Sequence, residues 1–221
     1  MLIKCPLCHS DRNRLYSKHE TGEYRLCLEC SLVFVLASEH LNAQEEKERY
    51  DLHTNSPDDP GYREYLKKVQ EPVCERLEEG MFVKPASLLG LDFGSGPGPT
   101  LSKMFEESGY RMNIYDPYYA KDEKVLEEKY DFITSTEVIE HLYTPKSVMD
   151  RLWGMLKENG LLVLLTQPYP NQDAFDKWYY KNDPTHVCFF ALDTMRWLEN
   201  KWGARLEVIG KDLFIFEKRD V

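Results

Sequence analysis

Downstream of Ala86 the chain alternates short apolar runs with stretches of helical spacing, which restricts the architectures open to it. "SLLGLDF", "RMNIYDP", "YDFITS" and "LLVLLTQP" read as strands. "TLSKMFEESG" and "PKSVMDRLWGMLKENG" read as helices closed by Gly109 and Gly160. A charged stretch, "DEKVLEEK", also has helical character. Strands this uniformly apolar belong to a parallel sheet covered by helices on both faces. A helix, "ALDTMRWLENKWG", precedes two last strands, "RLEVIG" and "LFIFEKR", with no helix between them. They are expected to form an antiparallel hairpin at the sheet edge. The expected fold is therefore α/β, with a doubly wound, mostly parallel sheet over residues 86–221.

Residues 1–37 read as a separate small module. Cys5-x2-Cys8 and Cys27-x2-Cys30 are separated by eighteen residues. That spacing matches a zinc pattern, because each pair turns two thiolates toward one ion and four close a tetrahedral site. Such a site has no open position for water, so a structural zinc is expected on Cys5, Cys8, Cys27 and Cys30. In a module this small the ion replaces a core the chain cannot build. His9 reads as a surface residue, and the lone Cys74 and Cys188 as small buried thiols. Residues 38–85 read as a charged connector followed by a helix. In "YREYLKKVQEPVCERLEEGM" the residues Tyr62, Leu66, Val69, Val73 and Leu77 share one side, and Pro72 is placed to kink or divide it.

"LDFGSGPGPTL" lies at the end of the first strand of the alternation. Its glycines, Gly94, Gly96 and Gly98, permit a tight turn and let a ligand approach bare backbone. The spacing is G-x-G-x-G, which differs from the dinucleotide fingerprint and from a phosphate-binding P-loop. Asp116 ends the next strand, placed to accept hydrogen bonds from the two hydroxyls of a ribose. Asp92 either orients the glycine loop or balances the charge of an amino-bearing ligand.

Four segments, "LDFGSGPG", "NIYDP", "YDFITSTEVIEHL" and "LKENGLLVLLTQP", resemble the ordered motifs of class I S-adenosylmethionine (SAM) dependent methyltransferases. The resemblance covers residues 86–221 and implies a Rossmann-like fold with SAM as cofactor. It implies that Asp92, Gly94, Ser95, Gly96 and Gly98 hold the amino-acid part of SAM and Asp116 its ribose. Thr136, Glu137 and Val138 would line the cofactor cleft, and Glu140 and His141 of "EVIEHL" would serve structure. The usual fold has another strand and helix before "YDFI", but only fourteen residues separate Asp116 from Asp131 here. The sheet is expected to be trimmed there, with Pro117, Tyr118 and Tyr119 offering a stacking wall. A zinc ribbon ahead of such a domain resembles a group of sugar and small-molecule methyltransferases.

The segment "QPYPNQDAFDKWYYKNDPTHVCFF" interrupts aromatic residues with polar ones. In the family this region roofs the substrate pocket. His186 is the candidate base, since imidazole titrates near neutral pH. The same histidine has a second reading, as a structural hydrogen bonder of the loop. Asp183 is placed to orient it, and Trp178, Tyr179 and Tyr180 either shape the pocket or cover the sheet. Tyr50, His53 and Tyr62 of the connector cap the methionine end of the cofactor or pack on the sheet.

A net charge of −10 disfavours a polyanionic partner. No apolar run reaches membrane-spanning length and the first residues lack a signal-peptide pattern, so the cytoplasm is the expected location. The expected function is methyl transfer from SAM to a small molecule. Two alternatives stay open: methylation of RNA or a ribosome component guided by the ribbon, and a non-catalytic SAM-binding regulator.

Overall fold

The structure is a computed structural model that describes residues 2–19, 22–52, 55–79 and 84–219. A six-stranded sheet forms its centre. The strands are β4 (Leu89–Phe93), β5 (Arg111–Tyr115), β6 (Tyr130–Thr136), β7 (Leu156–Leu165), β9 (Arg205–Ile209) and β10 (Leu213–Glu217), in the order β5-β4-β6-β7-β10-β9. The first four run parallel. β10 pairs antiparallel with both β7 and β9, giving the expected edge hairpin. After β5 the chain crosses back over β4 to lay down β6. This reversal opens a crevice at the carboxyl ends of β4, β5 and β6.

Helices cover both faces. On one side α2 (Pro60–Glu78) buries Leu66, Val69, Val73 and Leu77 against α3 (Thr100–Glu107) and the sheet. On the other, α4 (Pro145–Met155) and α6 (Leu192–Trp202) bury Met149, Leu152, Met195 and Leu198. Asp59 caps α2, its Oδ1 accepting from Gly61 N and Tyr62 N. Gly203, at φ +62°, ends α6 in the left-handed conformation.

Four local expectations are corrected. α2 runs through Pro72 without dividing. The helix read up to Gly160 stops at Met155, because Leu156 is already paired with Tyr130 as the first residue of β7. Buried sheet pairing there overrides helical spacing. The stretch "DEKVLEEK" holds only a 3-10 turn, Glu123–Glu127, so the link from β5 to β6 is short, as anticipated. The connector contains an additional helix, α1 (Ala43–Tyr50), started by a capping box between Asn42 and Glu45.

The cysteine module forms a second sheet from β1 (Asn13–His19), β2 (Gly22–Cys27) and β3 (Val33–Val35). Its fourth strand, β8 (Cys188–Phe189), comes from the distant roof segment and pairs antiparallel with β3. A short helix, α5 (Gln172–Phe175), precedes it. Phe175 sits among Tyr16, Tyr24 and Phe189, with ring centroids 5.2–5.7 Å away. Module and sheet consequently share one hydrophobic core.

Candidate active site

The crevice at the sheet reversal is a cleft of about 620 Å³. The glycine turn forms its floor. Gly94 and Gly96 adopt φ +79° and +64°, which glycine accepts without strain. A Cβ on Gly96 would meet nothing within 4 Å, so its backbone is open to the cleft. The other two glycines answer to protein neighbours. A Cβ on Gly94 would collide with Val138, and one on Gly98 with the carbonyl of Asn55. Gly98 is buried under the connector and does not line the cleft, whereas Gly94, Ser95 and Gly96 do.

Asp116 ties the turn to the next strand. Its Oδ2 accepts from Gly96 N at 2.9 Å, and its Oδ1 accepts from Tyr118 N and Tyr119 N at 2.9 and 3.1 Å. Three backbone donors fix the carboxylate at the rim. Pro117, Tyr118 and Tyr119 line the same wall. The tyrosine hydroxyls bridge to α1: Tyr118 donates to Glu46 at 2.5 Å and Tyr119 to Asp51 at 2.6 Å. Glu46, buried in α1, also accepts from Tyr50. Tyr50 and Tyr62 line the cleft, while His53 lies outside the described residues.

Asp92 is buried beneath the turn and accepts from the Thr134 hydroxyl at 3.1 Å. Burial pushes its carboxyl up to about 6. Thr136, Glu137 and Val138 line the cleft at the end of β6, with Glu137 at φ +52°. The Glu137 carboxylate accepts from Tyr65 at 3.0 Å and Tyr180 at 2.7 Å.

The far wall is a polar cluster beneath the roof. The Tyr180 hydroxyl also lies 2.5 Å from Glu140, which is fully buried. Burial and the neighbouring Glu137 charge push the Glu140 carboxyl up to about 8. One hydroxyl proton cannot serve two carboxylates, so a protonated Glu140 completes the network at neutral pH. His186 Nδ1 is 2.7 Å from the Tyr180 carbonyl, and His141 Nδ1 is 3.2 Å from the Thr185 carbonyl. Carbonyls only accept, so both Nδ1 atoms carry protons. Asp183 accepts from Thr185 N and Oγ1, while the Tyr180 carbonyl orients the His186 ring. Sequence reading missed the roles of Glu46 and Tyr65, and it named Tyr180 only as an aromatic that shapes the pocket or covers the sheet, without its bonds to Glu137 and Glu140. Nothing local joins Tyr65 to Glu137 across 72 positions.

Two groups among the described residues bring ligand atoms within 4.8 Å of one another, as one metal ion requires. One is Glu140, His141 and His186. The other is Cys5, Cys8, Cys27 and Cys30, where Cys5 and Cys30 sulfurs are 3.6 Å apart and Cys8 and Cys27 sulfurs 3.4 Å. Those separations suit the edges of a thiolate tetrahedron, about 3.8 Å for zinc–sulfur bonds of about 2.3 Å. The two knuckles match: His9 N donates to Cys5 O and Ser31 N to Cys27 O, with His9 and Ser31 both at left-handed φ. Hydrogen bonds from Cys30 and Cys5 pull the Cys27 thiol down, while the other three thiols are pushed up, Cys5 and Cys30 chiefly by hydrogen bonding within the cluster and Cys8 by burial. Four sulfurs gathered this closely fit a cation by their geometry.

A family model described as a methyltransferase domain matches residues 64–207. The chain is 31% identical over 106 residues to a ubiquinone biosynthesis O-methyltransferase of Actinobacillus pleuropneumoniae, covering 45% of each protein. It is also 31% identical over 103 residues to the enzyme of the same name from Pseudomonas savastanoi, covering 45% of this chain and 44% of that protein. The match thus spans less than half the length of these curated relatives. Two solved structures share the fold at a TM-score of 0.51. An O-methyltransferase family protein from Burkholderia thailandensis is 13% identical, covering 79% of this chain and 63% of that one. Magnesium protoporphyrin IX methyltransferase from Synechocystis, with SAH bound, is 16% identical, covering 80% and 94%. The family model alone spans well over half of the sequence, and the chain belongs to the methyltransferase-domain family.

Proposed function

We propose that this chain is a SAM-dependent methyltransferase acting on a hydroxyl of a small molecule that carries no negative charge, with a structural zinc on Cys5, Cys8, Cys27 and Cys30. One observation carries the reading: the Asp116 carboxylate accepts Gly96 N at 2.9 Å, fusing the acid and the glycine turn into one rim. An acid so placed suits a ribose, and the open Gly96 backbone suits the methionine end. Asp92, Ser95 and the segment Thr136–Val138 complete that side, while Gly98 shapes the turn from beneath.

Bound SAM supplies a methyl group already activated by a sulfonium. The residues then need to bind, align and exclude water. α1 and the Tyr118–Glu46 and Tyr119–Asp51 bridges close the cleft over the wall beside Asp116. His186 lines the cleft with its ring oriented by the Tyr180 carbonyl, and it is the candidate to take a hydroxyl proton as the methyl arrives. The names of the curated relatives support an oxygen acceptor. Charge disfavours an anionic one. No lysine or arginine lines the cleft among the described residues, whereas Glu46, Asp116, Glu137 and Asp183 do. Arg49, nearby on α1, is engaged by Asp183 at 3.7 Å.

Calorimetry with SAM and SAH tests the reading. Both are expected to bind, and Asp116→Ala is expected to weaken both by about 10- to 100-fold, the worth of one or two charge-assisted hydrogen bonds. No binding of either ligand overturns the reading. Labelled SAM with a panel of catechols, other phenols and sugars then identifies the acceptor.

A further inference from the structure

The cysteine module reaches the cleft through a backbone relay. Val35 N of β3 donates to the Val187 carbonyl at 2.9 Å, and Val187 N donates to the Glu140 carbonyl at 2.9 Å. Val187 therefore lies between the module and the 3-10 turn Ile139–His141, which carries Glu140 and His141. Its chain neighbour is His186. Val33 and Phe34 pair with Phe189 and Cys188 just beyond. The module also holds the start of the roof: Tyr24 donates to the Lys181 carbonyl, and Tyr169 donates back to the Ser31 carbonyl. Cys27 ends β2, and Cys30 and Ser31 lead into β3. The strand that bears on the roof is thus anchored at the four-cysteine site.

The opposite side of the cleft has other supports. The glycine turn, Asp116 and its tyrosines rest on β4, β5 and α1. No hydrogen bond joins them to residues of the module among the described residues.

We infer that the four-cysteine module is a positioning element for the acceptor side of the cleft alone. Zinc on the cysteines sets β3, β3 sets β8 and Val187, and Val187 sets Tyr180, His186 and Glu140, together with Glu137, which accepts from Tyr180, while the glycine turn and Asp116 stand without it. The inference rests on the methyltransferase reading of the cleft. It assigns the module a task other than guiding a nucleic acid: loss of zinc would leave a chain that binds SAM but no longer shapes its acceptor pocket.

The test compares the zinc-loaded full chain with the same chain after thiol-directed zinc extraction under reducing conditions. Two readouts are taken, amide hydrogen exchange and the SAH dissociation constant. Exchange at Val33–Val35 and at residues 183–190 is expected to accelerate together by at least about tenfold, while residues 89–97 and 111–119 keep their protection. SAH affinity is expected to hold within about threefold. The inference is overturned if the module opens and the roof stays protected. It is equally overturned if SAH affinity falls by more than about tenfold along with the roof, which would mean a global role. Val35→Pro provides an independent arm, since it deletes the N–H of the relay and leaves the cysteines. That variant is expected to retain one zinc per chain and show the same faster exchange at 183–190; zinc retained with an unmoved roof overturns the relay. An intact, zinc-loaded chain that binds no SAH defeats the methyltransferase reading instead, and the exchange comparison still decides the positioning role.

Discussion

Asp92 shows how a residue legible in sequence acquires its chemistry from burial. Its place at the head of "LDFGSGPG" marks it, but only the structure puts it under the turn, 4% exposed, with its carboxyl pushed up to about 6. A folded carboxyl above its unfolded value of 3.8 binds protons that the unfolded chain has released. Its contribution to stability is therefore complete below about pH 4 and is lost as pH rises through about 6. The loss is about 3 kcal/mol for a group so fully buried. Glu140, pushed up to about 8, extends the same slope upward. Melting of the ligand-free chain should accordingly fall between pH 5 and 8, by several degrees. Asp92→Asn keeps the acceptor for Thr134 and should flatten the lower part of that fall; an unchanged profile would show that Asp92 is already ionised in the folded chain. Asp116 was equally legible from its strand-end position. Its three backbone donors were not, because they depend on how the turns before and after it meet.

Elements were read correctly where hydrophobic spacing was strong and misread where a partner decided the outcome. α2 follows from Leu66, Val69, Val73 and Leu77 alone. The end of α4 does not, because Leu156 is claimed by Tyr130 on the neighbouring strand. α1 carried its signal in Asn42 and Glu45, yet with only Glu46 buried it lacks an apolar stripe. The connector's register on the glycine turn is a third such case. Gly98 is glycine because the Asn55 carbonyl occupies the space of a Cβ, a contact made between segments 43 positions apart. Gly98→Ala should push the 55–59 loop off the turn and destabilise the chain by about 1–3 kcal/mol, the cost of overpacking a filled site. Denaturant melts measure this. A neutral substitution would mean that the loop yields freely and does not hold the turn.

At the scale of the molecule, the parallel sheet and its edge hairpin were legible because apolar runs and missing helices are local signals. The union of β3 with β8 was not, since 154 positions separate Phe34 from its partner Cys188 and no periodicity records the pairing. That union bears on the partner. A ribbon that guided RNA would need a basic face free to meet phosphates. Residues 1–37 carry five basic and four acidic side chains. Arg12 and Arg25 are paired with Glu29 and Glu23, and one edge of the module is occupied by the roof strand. The cleft beyond it is lined by carboxylates and tyrosines with no lysine or arginine among the described residues. Nothing in this distribution gathers the roughly six to ten phosphate contacts that make nucleic-acid binding strong and salt-dependent. Fluorescence anisotropy with short single- and double-stranded RNA at low salt is therefore expected to show no binding tighter than about 10 μM, with or without SAH. Micromolar binding that weakens steeply with added salt would transfer the proposed acceptor from a small molecule to RNA, and the module from strut to guide.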